Sequence, residues 1–355
     1  MSEISNDTAA IREGEELDQA KLEPFLRDSL NLPDGEYGIE QFPGGHSNLT
    51  YVVKIGDTEM VVRRPPFGST VKAAHDMSRE YRILTALHPV YSPAPKPLVF
   101  CEDHSILGAD FYAMERIDGL VMRKVTPSDI EFTPDLVREV CVNSAKNLAA
   151  LHSIDWREVG LESLQRKNST FVCRQVEGWA KRYEASKTHD FKEVEEVLQW
   201  CLANIPPDSG EVMIHNDYKF DNMLQDRNDI SKIVGLLDWE MSTIGDPLFD
   251  LGCALSYWTN PEDYDPERTG CFIHGLPGAI TREEFAAIYG DAMGLDVSNM
   301  NYYYVFAAVK LAVINQQIYF RYHTGLTKDE RFAKMPPGIE NLGKRAASFI
   351  ESGGI

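Results

Sequence analysis

Basic residues are scarce in this chain: 35 Lys and Arg stand against 55 Asp and Glu in 355 residues, a formal charge of −20. Nucleic acids and anionic membrane surfaces both demand a basic face, so neither is an expected partner. Long hydrophobic runs are missing too. The most apolar stretch, Tyr302 to Phe320, is broken by Lys310, Asn315, Gln316 and Gln317, and predicts a core helix instead of a membrane span. The six cysteines (101, 141, 173, 201, 253 and 271) form no CxxC pair, and no Cys/His cluster has zinc spacing. A chain of this length can build its core without disulfides, and scattered thiols suit a reducing compartment. The opening MSEISNDTAAIREGEELD is polar and acidic, reads as neither signal nor transit peptide, and leads us to expect a cytoplasmic protein. Internal repeats and low-complexity tracts are absent as well.

What remains is a globular sequence, 43% hydrophobic and 25% charged, whose periodicity changes along its length. Residues 16–30 have the spacing of an amphipathic helix (Leu17, Leu22, Phe25, Leu26, Leu30), ended by Asn31-Leu32-Pro33-Asp34-Gly35. Strand-like runs follow at 37–42, 50–55 and 60–64, with Gly56-Asp57 as the tight turn between the last two. A helix is expected over 72–87, then strands at 97–101 and 111–114. Beyond Gly119 the pattern becomes mostly helical, with candidate helices at 134–152, 171–185, 190–204, 282–293, 300–323 and 340–351. The expected organisation is an N-terminal helical extension (1–35), a small β-rich lobe (36–113), a connector (114–118) and a larger helical lobe (119–355). A bilobal α+β enzyme of this kind binds its ligand in a cleft.

Two polar, acidic stations interrupt the helical part: His215-Asn216-Asp217-Tyr218-Lys219-Phe220-Asp221-Asn222 and Leu236-Leu237-Asp238-Trp239-Glu240. Between them, Met223-Leu224, a turn-forming stretch with Asp226, Asn228 and Asp229, and the apolar run Ile233 to Leu237 read as a hairpin. That hairpin would carry Asn222 at its start and Asp238 at its end. An amide oxygen and a carboxylate are hard donors of the kind Mg²⁺ takes, with phosphate and water filling its remaining positions. Asp217 supplies a separate carboxylate to orient a hydroxyl. This is the small set that phosphoryl transfer requires.

Six blocks, in this order and spacing, carry a resemblance: F-P-G-G-H-S-N-L-T-Y (42–51), V-V-R-R-P-P (61–66), E-Y-R-I-L-T-A-L (80–87), Y-A-M-E-R-I-D-G (112–119), H-N-D-Y-K-F-D-N (215–222) and L-D-W-E…G-D-P-L-F-D-L (237–251). Over roughly residues 35 to 325 the chain resembles the protein-kinase-like superfamily. Within it, the chain resembles the aminoglycoside phosphotransferase family, in the branch whose relatives are also found fused to acyl-CoA dehydrogenases. The resemblance implies ATP and Mg²⁺ as cofactors. It makes Gly44, Gly45, Ser47 and Asn48 the loop over the phosphates, although the motif is not G-x-G-x-x-G and a plain hairpin turn has the same residues. Strand alternation puts Val61 and Arg63 on one face; the resemblance lays Val61 against adenine and Arg63 on the phosphates, with Glu80 as the arginine's ion-pair partner. Met114, Glu115 and Ile117 form the connector, offering backbone groups to adenine. Asp217 is the catalytic carboxylate, Lys219 either reaches the γ-phosphate or is a solvated loop lysine, and Asn222 and Asp238 are the metal ligands. His215 and Asp250 are expected to brace the loop. Asp246 before Pro247 suits a helix N-cap. Trp239 stands where protein kinases carry the Phe of D-F-G, and no flipping switch of that kind is expected.

The acceptor is a small hydroxylated molecule in this reading. Glu262, Asp263, Asp265 and Glu267 would suit the amines of an aminoglycoside, while Arg174, Lys181, Arg182 and Arg321 are cations available to the phosphates of a hydroxyacyl-CoA. Choline-like and sugar alcohols fit the same chemistry. The competing reading is a kinase fold kept as a non-catalytic scaffold or ligand-binding protein.

Overall fold

A computed structural model describes residues 8–43, 48–67, 76–166, 170–265, 270–327 and 329–355. Gly44, Gly45 and Ser47 of the expected phosphate loop, the start of the helix expected at 72–87, and Glu267 lie outside the described residues. The chain begins with α1 (Gln19–Leu30), β1 (Tyr37–Gln41), β2 (Leu49–Ile55), β3 (Thr58–Arg64), α2 (Met77–Leu87), β4 (Pro97–Cys101), α3 (His104–Leu107) and β5 (Phe111–Glu115). It continues through α4 (Pro134–His152), α5 (Phe171–Ser186), α6 (Lys192–Ala203), β6 (Val212–Ile214), β7 (Met223–Gln225), β8 (Ile233–Leu236), β9 (Thr243–Gly245) and α7 (Pro247–Tyr257). The last elements are α8 (Arg282–Met293), α9 (Met300–His323) and α10 (Pro336–Ser352).

These elements fall into two compact units. The first gathers Met1–Val121, Pro127–Glu131 and Asn222–Met241. Its sheet has the order β1-β2-β3-β5-β4, with every neighbouring pair antiparallel. Alternation sorts its side chains. Tyr51, Val53, Ile55, Met60, Val62, Phe111 and Ala113 join Leu22 and Leu26 of α1 in one apolar core. Val61, Arg63, Tyr112 and Met114 point to the other face. Gly56, at φ +59, makes the left-handed turn between β2 and β3, where a side chain would be strained. The β7–β8 hairpin also belongs to this unit: Leu236 N–H donates to Pro93 O at 2.7 Å, and Leu120 and Gln225 exchange backbone bonds at 2.8 and 2.9 Å.

The second unit comprises Met122–Thr126, Phe132–Asp221 and Ser242–Ile355. Its centre is α9, which packs against α5, α6, α7 and α10. Nearly every residue from Met300 to Val313 is buried, so this helix has no solvent face over that length. Among the described residues no helix is long and apolar enough to cross a membrane. The short strands β6 and β9 pair antiparallel and flank the first acidic station and the start of α7. Asp246 caps α7 by accepting Phe249 N–H at 2.8 Å, with Pro247 opening the helix. All six cysteines are free thiols, five of them buried.

Candidate active site

Helix α2 explains the first group of polar residues. Its buried stripe is Met77, Glu80, Leu84 and Leu87, so helical spacing drives a carboxylate inward among apolar neighbours. A charge so placed needs partners. Tyr112 donates its phenol to Glu80 at 2.9 Å, Asn48 donates its amide at 3.2 Å, and Arg63 Nε lies 3.5 Å away as an ionic contact without hydrogen-bond geometry. Arg63 then donates through Nη2 to Asp238 at 3.0 Å. Burial opposes the Arg63 charge, but Glu80, Tyr112 and Asp238 together hold its pKa well above the ordinary value. Burial pushes the Glu80 carboxyl up, against the pull of Arg63 and Tyr112. Arg64, one residue on, points to the opposite face and donates to Leu107 O at 3.0 Å.

The second acidic station is built into this same unit. Leu237 N–H donates to Asn222 O at 2.8 Å, so the hairpin joins the residue carrying the amide to the neighbour of Asp238. Asp238 has φ +68, a conformation that Asn and Asp adopt more readily than most side chains. Asn222 is buried, whereas the Asp238 side chain keeps 35% of its exposure and can still meet a cation. One amide oxygen and one carboxylate are a set Mg²⁺ accepts when phosphate completes it. No group of three or more His, Cys, Asp or Glu arranged for a metal occurs among the described residues. Trp239 is buried, donating its indole N–H to Leu236 O at 2.8 Å and meeting Tyr91 edge-on. Glu240 accepts from Asn48 at 2.9 Å, and its backbone carbonyl accepts from Arg79 at 3.1 Å. Val61 and Met114 are cross-strand partners, both buried on the face that carries Arg63. Glu115 accepts Lys96 N–H at 2.7 Å, and Ile117 is half-buried.

The first station lies in the second unit up to Asp221. Its backbone is held by Asp250 of α7, whose carboxylate accepts His215 N–H and Asn216 N–H, each at 2.7 Å, and His152 Nε2 at 3.0 Å. Asp250 is fully buried; burial works against its charge, yet His152, His215 and the loop amides hold its carboxyl below the usual range. Asn216 takes φ +70 and accepts from buried Lys310 at 3.0 Å. Lys219 Nζ donates to both oxygens of Asp217, at 3.0 and 2.8 Å, and stands 4.9 Å from the centre of the Tyr257 ring.

The expected residues thus gather in two sets. Asn48, Arg63, Glu80 and Asp238 form one linked network, and Asp217 with Lys219 sits on the loop braced by Asp250. Sequence reasoning missed Tyr112, Arg79, Lys310, His152 and Tyr257. Lys310 did leave a signal, as the one basic residue inside the apolar run of α9.

The fold is of the protein-kinase-like class. Residues 38–294 match the model of the phosphotransferase enzyme family, and the chain belongs to that family. It is 31% identical over 353 residues to acyl-CoA dehydrogenase family member 11 of Gallus gallus, covering 96% of this chain and 45% of that protein. The chain spans less than half the length of that relative. Among solved structures, one from Ralstonia eutropha, described as an aminoglycoside phosphotransferase, superposes with a TM-score of 0.80 at 25% identity, covering 95% of this chain and 99% of that one. The GDP and kanamycin complex of APH(2")-IIia superposes with a TM-score of 0.63 at 14% identity over 92% of this chain and 98% of that one.

Proposed function

We propose that this chain is an ATP- and Mg²⁺-dependent kinase that phosphorylates a hydroxyl of a small molecule. The observation that carries the reading is Arg63, buried between Glu80 and Asp238 on the same sheet face as Val61 and Met114. A guanidinium fixed by one carboxylate and reaching a second is placed to grip phosphate oxygens beside a metal ligand. Val61 and Met114 offer an apolar bed for the purine, and the connector Met114 to Ile117 offers backbone groups to its edge. Asn222 and Asp238 would hold Mg²⁺, which when bound neutralises charge on the phosphate oxygens. Asp217 orients the acceptor hydroxyl and takes its proton. Lys219, which donates to Asp217, would supply the cation that reaches the transferred phosphoryl group. Alignment and electrostatics supply the catalysis, with no covalent phosphoenzyme. A nucleotide complex of a fold neighbour supports nucleotide use.

For the acceptor we favour a hydroxyacyl-CoA or related hydroxylated metabolite, supported by the likeness to an acyl-CoA dehydrogenase family member. The test is ADP release with Mg²⁺·ATP over hydroxyacyl-CoAs, kanamycin and choline. Turnover is expected with a hydroxyacyl-CoA, falling on the order of 100-fold or more in Asp217→Ala. Asp238→Asn is expected to raise the Mg²⁺ concentration needed for half-maximal rate. Preference for kanamycin or choline would reassign the acceptor, and nucleotide binding without turnover on any of them would point to a scaffold.

A further inference from the structure

We propose that Tyr257 is a positioning residue for Asp217, the last of three contacts by which helix α7 sets the catalytic loop. The proposal rests on the kinase reading above. Three residues of α7 address the loop. Asp250 accepts the backbone N–H groups of His215 and Asn216. Three residues later, Cys253 Sγ lies 3.8 Å from the Asn216 amide oxygen. Four residues after that, Tyr257 places its ring under the Lys219 ammonium at 4.9 Å and its phenol in hydrogen bond with the Asp217 carboxylate. A spacing of three and then four keeps all of them on one helical stripe, and their targets run forward along the loop in the same order.

The chemistry gives Tyr257 a distinct task. Lys219 donates to both oxygens of Asp217. A carboxylate has about four lone-pair sites, so the Asp217 oxygens can also accept from the phenol and from a substrate hydroxyl, and as the carboxylate takes up a proton its hold on the ammonium weakens. The phenol is then a donor that keeps the carboxylate aimed while the ammonium turns to the phosphoryl oxygens, with the ring face as a resting place for the cation. Burial, followed by the charge of Asp217, holds the phenol pKa far above its usual value, so it stays a donor at every working pH.

Tyr257→Phe keeps the ring and removes the donor. With Mg²⁺·ATP and the hydroxyacyl-CoA as acceptor, we expect kcat to fall about tenfold while KM for ATP stays within about twofold. In an Asp217→Asn background the same change should cost nothing further, because the partner is already gone. A second measurement does not depend on turnover. In protein labelled with 3-fluorotyrosine, the ¹⁹F resonance that disappears in Tyr257→Phe should shift when Asp217→Asn is introduced. Undiminished kcat in Tyr257→Phe, a further tenfold loss in the double variant, or an unmoved resonance would each overturn the assignment to Tyr257 alone. A wild-type protein that turns over no acceptor would overturn the kinase reading, and this role with it, even if the resonance shifts and so reports the contact itself.

Discussion

His274 sits in an aromatic box, 4.6 Å from the Trp258 ring and 5.6 Å from that of Phe220, with 2% of its surface exposed. Burial, helped by the nearby Arg282 charge, pushes its pKa down to about 3. Between that value and the ordinary 6.5 the unfolded chain binds a proton that the folded chain refuses. Its contribution is therefore whole above pH about 6.5 and is lost as the pH falls, by roughly 2 to 3 kcal/mol at pH 4.5. Followed against pH, the melting temperature of wild type should fall more steeply than that of His274→Phe between pH 7 and 4.5. Parallel curves would contradict this. The residue scale is also where the sequence was hardest to read. Strand alternation separated Arg63 from Arg64, because a period of two is a local property. Nothing local marks Tyr112 as a partner of Glu80, or Asn216 and Asp238 as left-handed residues. Those facts depend on what packs opposite them.

Elements were more legible than contacts. The helices expected at 134–152, 282–293 and 300–323 have those limits in the structure, since their apolar periodicity is long and their ends carry polar stops. The last helix begins earlier than expected, at Pro336, because proline is tolerated in the first turn. The pairing of β6 with β9 escaped notice: three-residue strands some thirty positions apart leave no periodic trace in either one. Helix α7 was legible only at its capped start, and its stripe toward the loop became visible with its full length to Tyr257. That helix makes one sharp demand. A Cβ at Gly252 would lie 2.8 Å from the backbone of Tyr303 in α9. Gly252→Ala should therefore destabilise by about 1 to 3 kcal/mol despite the better helix propensity of alanine, seen as a lower urea midpoint. A midpoint at or above that of wild type would show that α7 and α9 can separate without penalty.

For the whole molecule, composition set expectations about partners, and the ordered blocks carried the family. The proposed base Asp217 falls in the second unit, and the proposed magnesium ligands Asn222 and Asp238 in the first. The first unit is thus finished by twenty residues, 222–241, that the ribosome delivers some ninety positions after Glu131, the last of the rest of it. Severing the chain in the exposed stretch after Lys124 would leave the two pieces sharing one unit, with Leu236 bonded to Pro93, Gln225 to Leu120 and Asp238 to Arg63. Tryptic fragments cut there should co-elute from a sizing column and part only in denaturant. Translation has the matching consequence. The amino-terminal sheet can pair its strands on the emerging chain, yet from Glu115 it must wait for Met223, about a hundred residues later, before the hairpin that completes it begins to appear.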